Sequence, residues 1–283
     1  KILKTYGSDE NPDIYRLKLE RQGYQQQFSR NCLQRNNGFG KSFSETGLIS
    51  GISATDWSWA PLFADFDNDG NKDLFVSTGI VKRPVDLDYI RFVSDLKMKG
   101  MDKTDAYDAE AIKAMPEGSS HPYFFQGDGK GNFKDQSGSW GTEGMKGFYT
   151  GSAYADLDGD GDQDMIVNAI DAPALILKNN APAKKSLTIS FRGEQGNIFG
   201  VGTKVWLFTN GKLQYQQFQP TRGFQSSCDY NLMFGLDTVS QADSVLIVWP
   251  DQKFQLLRNV TAGKMTATKA EAKDSFNYRV FFP

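Results

Sequence analysis

The sequence holds one histidine, His121, among its 283 residues. A single imidazole excludes metal sites built from several histidines and leaves a serine–histidine–acid triad one fixed choice of base. His121 precedes Pro122, and no nucleophile pattern stands beside it. The two cysteines, Cys32 and Cys228, are far apart. They read as one disulfide or, by preference, as two separate buried thiols, and they do not fix the redox compartment. No run of 18 apolar residues occurs, so no helix is expected to span a membrane. The formal net charge is −2, which leaves no broad basic surface for nucleic acid or a polybasic membrane patch. The chain begins at Lys1 without an initiator methionine or a signal peptide. It therefore reads as a processed form or a fragment whose missing segment would have carried the address.

What is present points to β structure. Apolar residues make up 39% and aromatics 13%, with 28 glycines, a balance that suits packed strands joined by tight turns. Self-comparison reveals a repeat. Phe63–Val76 reads FADFDNDGNKDLFV and Tyr154–Val167 reads YADLDGDGDQDMIV; Asp65 maps to Asp156 and Asp73 to Asp164, each 91 residues on. Gly38 and Gly40 map to Gly129 and Gly131 at the same offset. Each unit reads as a short strand, an Asn/Gly turn, a strand with Phe, a loop, an apolar strand, an Asp-rich loop and an apolar strand. Four short strands suit one antiparallel propeller blade of about 40–50 residues. The surplus is an insertion, residues 82–122, in which Leu87, Ile90, Val93 and Leu96 predict a helix with Asp86 as N-cap and Gly100 as stop. A second short helix is expected over Thr104–Met115. Ala174–Asn179 reads as the opening strand of a third blade, and residues 1–30 as a linker or partial element.

The two Asp loops carry the chemistry. Calcium takes six to eight oxygen ligands, and the form D-x-D-x-D-G-x-x-D supplies them. The first loop offers Asp65, Asp67, Asp69, the Asn71 carbonyl and Asp73, with Gly70 at the sharp turn. The second offers Asp156, Asp158, Asp160, the Asp162 carbonyl and Asp164, with Gly161 at the turn. Four carboxylates within nine residues repel one another unless a cation neutralises them. An EF-hand would need Glu at position 12, where Val76 and Val167 stand. Magnesium prefers fewer protein ligands and more water. Two calcium sites with a structural role are the expectation, and no catalytic residue is nominated. Other motifs fail. Gly38–Ser42 resembles a phosphate loop, but Arg35 stands where its first glycine belongs. Trp57, Trp59, Trp140 and Trp206 could stack on sugars, but Trp206 reads as core and Trp57 and Trp59 as packing between blades.

Composition shifts after Pro182. Ser186–Phe191, Thr203–Thr209, Lys212–Gln219, Ser244–Trp249 and Phe254–Arg258 read as strands, with a hairpin at Asn210-Gly211. The Asp loops resemble FG-GAP/VCBS propeller repeats. The segment GVGTKVWLF…GKLQYQQFQPTRGFQSS…LMFGLDTVSQADSVLIVWPD resembles the ASPIC/UnbV domain. Together, over Asn31–Ala267, they resemble ASPIC/UnbV-containing VCBS-repeat proteins, a group that includes cartilage acidic protein-like sequences and surface proteins of Bacteroidota. The resemblance implies an all-β fold: blades of a seven-bladed propeller with a helical insertion, then a small β-sandwich-like domain. The expected division is residues 31–182 for two repeats and the start of a third blade, 183–270 for the ASPIC/UnbV-like domain and 271–283 for a tail. The resemblance also implies a calcium-stabilised binding module on an extracellular or outer-membrane surface. Its partner would be a protein or glycan ligand, and it could serve as an accessory lipoprotein of an outer-membrane nutrient-uptake transporter. The alternatives are a polysaccharide-acting propeller enzyme and a structural component of a larger assembly. Where the resemblance leads one to expect an acidic or histidine-containing stretch before FGL, this chain has CDYNLMFGL.

Overall fold

A computed structural model describes residues 12–24, 30–38, 40–100 and 105–281. A helix, α1 (Pro12–Gln22), opens them, with proline at its first position, where no amide hydrogen is needed. The rest of the expected N-terminal element, residues 1–11 and 25–29, lies outside the described residues.

The repeats fold into a hairpin and two sheets. Strands β1 (Gln34–Asn36) and β2 (Phe43–Glu45) pair antiparallel. A four-stranded antiparallel sheet follows, of β3 (Ser58–Ala64), β4 (Asp73–Thr78), β5 (Tyr123–Gly127) and β6 (Phe133–Asp135), in chain order. The third unit holds β7 (Tyr149–Ala155), β8 (Asp164–Ala169) and β9 (Leu175–Leu177), also in chain order.

This corrects the grouping expected from sequence. The Asn/Gly hairpin and the Asp loop that follows it belong to different sheets, because β4 pairs with β5 across the insertion through Phe75↔Phe124. A repeat fixes its period but not its starting point, and apolar cross-strand rows choose the partners. Likewise β9 does not open a third sheet. It closes the second, where Leu177 pairs with Met165 and Leu175 with Val167.

The insertion lies between β4 and β5 and carries α2 (Leu87–Met98) and α3 (Asp105–Ala114). Asp86 caps α2 by accepting from the amides of Asp88 and Tyr89, and Leu96 is the buried residue of its apolar stripe. Bridges Ile80–Gly118 and Ser120–Gly147 pin the base of the insertion to the repeats.

The sheets stack face on face. Leu74, Val76 and Phe125 on one face of the first sheet pack with Leu33 and Ile52 of the preceding hairpin region. Leu62, Phe75 and Phe124 on its other face pack with Met165, Val167 and Leu177 of the second sheet. Fully burying a large apolar side chain contributes about 1.5–3 kcal/mol, so these rows hold the stack.

The C-terminal domain closes two sheets on one core. One holds β10 (Lys185–Arg192) between β13 (Asn231–Asp237), antiparallel, and β16 (Gly263–Thr268), parallel. The other is ordered β12 (Lys212–Gln217), β11 (Lys204–Thr209), β14 (Gln241–Val248), β15 (Lys253–Thr261) and β17 (Asp274–Ser275). Ile189, Phe234, Val205 and Ile247 are fully buried between them. The β11–β12 hairpin turns through Asn210 (φ 50°) and Gly211 (φ 75°), the geometry the Asn-Gly pair favours. Trp206 is buried, but on the outer face of its sheet, with Leu246, Val248 and Phe276. The C-terminal segment covers that face with β17 and a short helix, α4 (Tyr278–Phe281).

Candidate metal centre

The loops joining β3 to β4 and β7 to β8 carry the Asp-rich patterns. Gly70 (φ 88°) and Gly161 (φ 94°) take the sixth position in each, a left-handed conformation that glycine enters without penalty. At the fourth position stand Asn68 (φ 54°) and Gly159 (φ 84°). The chain folds tightly because the carboxylates accept from its own amides. Asp65 Oδ1 accepts from Asp69 N at 3.0 Å and Asp65 Oδ2 from Gly70 N at 2.9 Å. In the second loop Asp156 Oδ1 accepts from Gly159 N at 2.7 Å.

The ninth position braces each loop. Asp73 accepts from Phe66 N and Gly127 N, both at 2.9 Å, and ties the loop to the end of β5. Asp164 accepts from Leu157 N at 2.9 Å and Asn179 N at 2.7 Å, doing the same after β9.

The sequence nominates matching ligand sets, and the structure brings together three carboxylates of each, at different positions of the two loops. Oxygens of Asp65, Asp67 and Asp73 lie within 4.8 Å of one another in the first loop, and those of Asp156, Asp158 and Asp160 in the second. Asp69 turns to Asn71, accepting from its backbone N at 2.7 Å and its side-chain amide at 3.0 Å. Asp162 has a buried Oδ1 with no hydrogen-bond partner among the described residues. Every nominated side chain offers oxygen donors, so the residues suit a hard cation, and each cluster could hold a metal ion.

The two clusters sit in different dielectric surroundings. Asp65 and Asp73 are buried. Loss of solvation pushes both carboxyls up to about 7, against the opposing Lys72 ammonium for Asp65 and the two amides for Asp73. Desolvation also holds Lys72 down to about 8. In the second cluster Asp158 and Asp160 are exposed. Lys178 pairs with Asp158 and holds its carboxyl below the usual range. Asp162 is pushed up to about 7 by burial, helped by its neighbour Asp160.

Sequence reasoning missed that both loops form the seat of the C-terminal domain. A Cβ on Gly235 of β13 would collide with Asp65 Oδ2 and lie 2.6 Å from Asn68 backbone atoms, so glycine permits the approach. Asp237 N donates to Asn68 O at 2.8 Å, and Gln214 Nε2 to Gly235 O at 2.7 Å. Asn68 Nδ2 reaches across to Gly161 O at 3.1 Å, and Ser186 Oγ donates to the same carbonyl at 2.7 Å. A cleft of about 200 Å³ lies between the loops, lined by Asp67, Asn68, Asp160, Asp162, Lys178 and Lys184. Gly235 is the glycine of the FGL stretch; nothing in the sequence pairs it with Asp65.

Beside the loops, segment 220–229 of the C-terminal domain rests on the inner strands. Trp59 meets Phe224 with ring centroids 4.9 Å apart and donates Nε1–H to Gly79 O at 2.7 Å. Asp229 N donates to Tyr154 O at 3.2 Å. Cys228 is buried there and its thiol is raised by burial, whereas Cys32 is exposed, contrary to two buried thiols; both are free. His121 packs against Tyr123, with ring centroids 4.1 Å apart and planes tilted by 35°. Among the described residues no helix is long and apolar enough to cross a membrane.

A family model for an FG-GAP-like repeat matches residues 8–76, and one for ASPIC and UnbV matches residues 193–275. The first match includes the Asp65–Asp73 loop and the second the Gly235 contact. No curated protein matches the chain.

Proposed function

Because the chain carries an FG-GAP-like repeat followed by an ASPIC/UnbV domain, we propose that it is a calcium-stabilised interaction module of an extracellular or outer-membrane surface and not an enzyme. The observation that carries this reading is the pair of carboxylate clusters at the contact between repeats and C-terminal domain. Asp65, Asp67 and Asp73 would hold one calcium ion, with Asp69 and Asn71 in reach of the same loop. Asp156, Asp158 and Asp160 would hold the other, with Asp162 and Asp164 beside them. The ion supplies positive charge that lets neighbouring carboxylates ionise together; the chain's own residues fix the turn and receive the neighbouring domain. Cation binding to the folded state alone stabilises it by about 2.7 kcal/mol at a hundred times the dissociation constant. Chelator-stripped protein titrated with calcium should melt at progressively higher temperature. A melting curve indifferent to calcium would reject the reading.

A second reading, a component of a larger assembly, is favoured by one surface. The row Leu62–Phe75–Phe124 is buried, but the equivalent row in the second sheet ends in Ile166 and Ile176, 38% and 71% exposed. On the first sheet that face is covered by the next sheet; on the second it would accept a further sheet of the same repeat. A transporter accessory role for nutrient capture, lipid-anchored or secreted, belongs to this reading, with pull-down from the surface fraction as its test.

A further inference from the structure

Lys264 belongs to β16 of the ASPIC/UnbV domain, yet its side chain ends on the second repeat loop. Its Nζ lies 3.1 Å from Asp156 Oδ2 and 3.4 Å from the Gly159 carbonyl oxygen. Lys178, just after β9, pairs with Asp158 and lies 4.0 Å from Asp160 Oδ2. Two ammonium groups thus lie at ion-pair range of all three carboxylates of this cluster. Both lysine side chains are more than half exposed, at 60% and 56%, so each can swing into solvent with little desolvation to reverse. The first cluster is arranged otherwise. Lys184 lies 3.9 Å from Asp67 and divides its charge with Asp237 at 3.5 Å, and the lysine that opposes Asp65, Lys72, belongs to the loop itself and not to the neighbouring domain.

An ammonium and a divalent cation cannot share Asp156 Oδ2 without strong mutual repulsion, since a cation bound by that oxygen would lie within about 2.6 Å of it. Resting on the calcium reading above, we propose that Lys264 is the built-in occupant of the second cluster. It and a divalent cation are alternative partners of Asp156. Cation binding at the second loop therefore removes one contact between the repeats and the ASPIC/UnbV domain. Binding at the first loop leaves its contacts, Gly235 on Asp65 and Asp237 on Asn68, in place. The module then has a tight site that holds the two parts together and a weaker one through which ambient cation adjusts their contact. The contacts that remain at the second loop, Ser186 and Asn68 on Gly161 O, make this an adjustment and not a separation.

The test is calorimetric calcium titration of chelator-stripped full chain, comparing wild type with Lys264→Met and the charge-keeping Lys264→Arg. Hydrogen exchange of amides 263–268 is followed with and without calcium. Wild type should give two steps. Lys264→Met should strengthen the weaker step about three- to tenfold, the scale of one partly screened like-charge contact, and leave the tighter step unchanged. Lys264→Arg should follow wild type, and calcium should speed exchange at 263–268 in wild type but not in Lys264→Met. Should Lys264→Met misfold, Lys178→Gln, outside the ASPIC/UnbV domain, should also strengthen the weaker step. A weaker step unchanged in these variants overturns the lysine's role while the calcium reading stands. No binding by any of the proteins overturns both.

Discussion

Positions 91 residues apart in the two repeats have the same local conformation and different surroundings. Asp65 is buried under Gly235 and faces a desolvated Lys72, whereas Asp158 and Asp160 of the second cluster open to solvent and its acids meet exposed lysines. Phe75 is fully buried, whereas Ile166 is 38% exposed. The shared aspartate and glycine positions set the turn; the residues between them, the neighbouring sheet and the domain set the dielectric, and with it what each carboxylate can bind.

The largest test of this comparison is in the sheets. Phe75→Ala should cost about 3–5 kcal/mol in chemical denaturation, as expected for a core aromatic. Ile166→Ala should cost well under about 1 kcal/mol. Equal losses would mean that Ile166 is covered in solution, by a second copy or another sheet, which concentration-dependent sedimentation would reveal.

Next come the braces. Asp73→Ala leaves the amides of Phe66 and Gly127 without their acceptor in a buried setting, at about 1–3 kcal/mol for each. Asp164→Ala exposes the amides of Leu157 and Asn179, which water can reach more easily, and should cost about half as much. The order of the two melting temperatures checks this.

The acids also make a pH prediction. In chelator-stripped protein the raised values of Asp65 and Asp73, about 7 against an unfolded value near 4, favour folding when these groups are protonated. That contribution is fully present below about pH 4 and is lost as pH rises through about 7. Calcium requires the ionised forms, so the calcium-induced rise in melting temperature should grow between about pH 5 and pH 8. A rise independent of pH would place the ion elsewhere.

The smallest effect concerns exposed pairs. Lys178→Gln should shift the melting temperature less than any of the changes above, and half-molar salt should erase the difference.

Much of this was legible in the sequence. The Asp loops, the helix capped by Asp86 and the Asn210-Gly211 hairpin follow local rules that short segments obey. Strand grouping was not, because β4 finds β5 across the insertion and only the buried Phe75–Phe124 pair decides it. The differing carboxylate groupings were invisible for a similar reason. Asp69 turns to Asn71 while Asp73 joins the first cluster, and the lysines and Gly235 reach the loops from strands distant in sequence.

The most direct test of the central claim is anomalous diffraction from crystals grown in calcium. The account predicts two peaks, one among Asp65, Asp67 and Asp73 and a weaker one among Asp156, Asp158 and Asp160. Crystals at the same calcium concentration with no peak at either loop would contradict it.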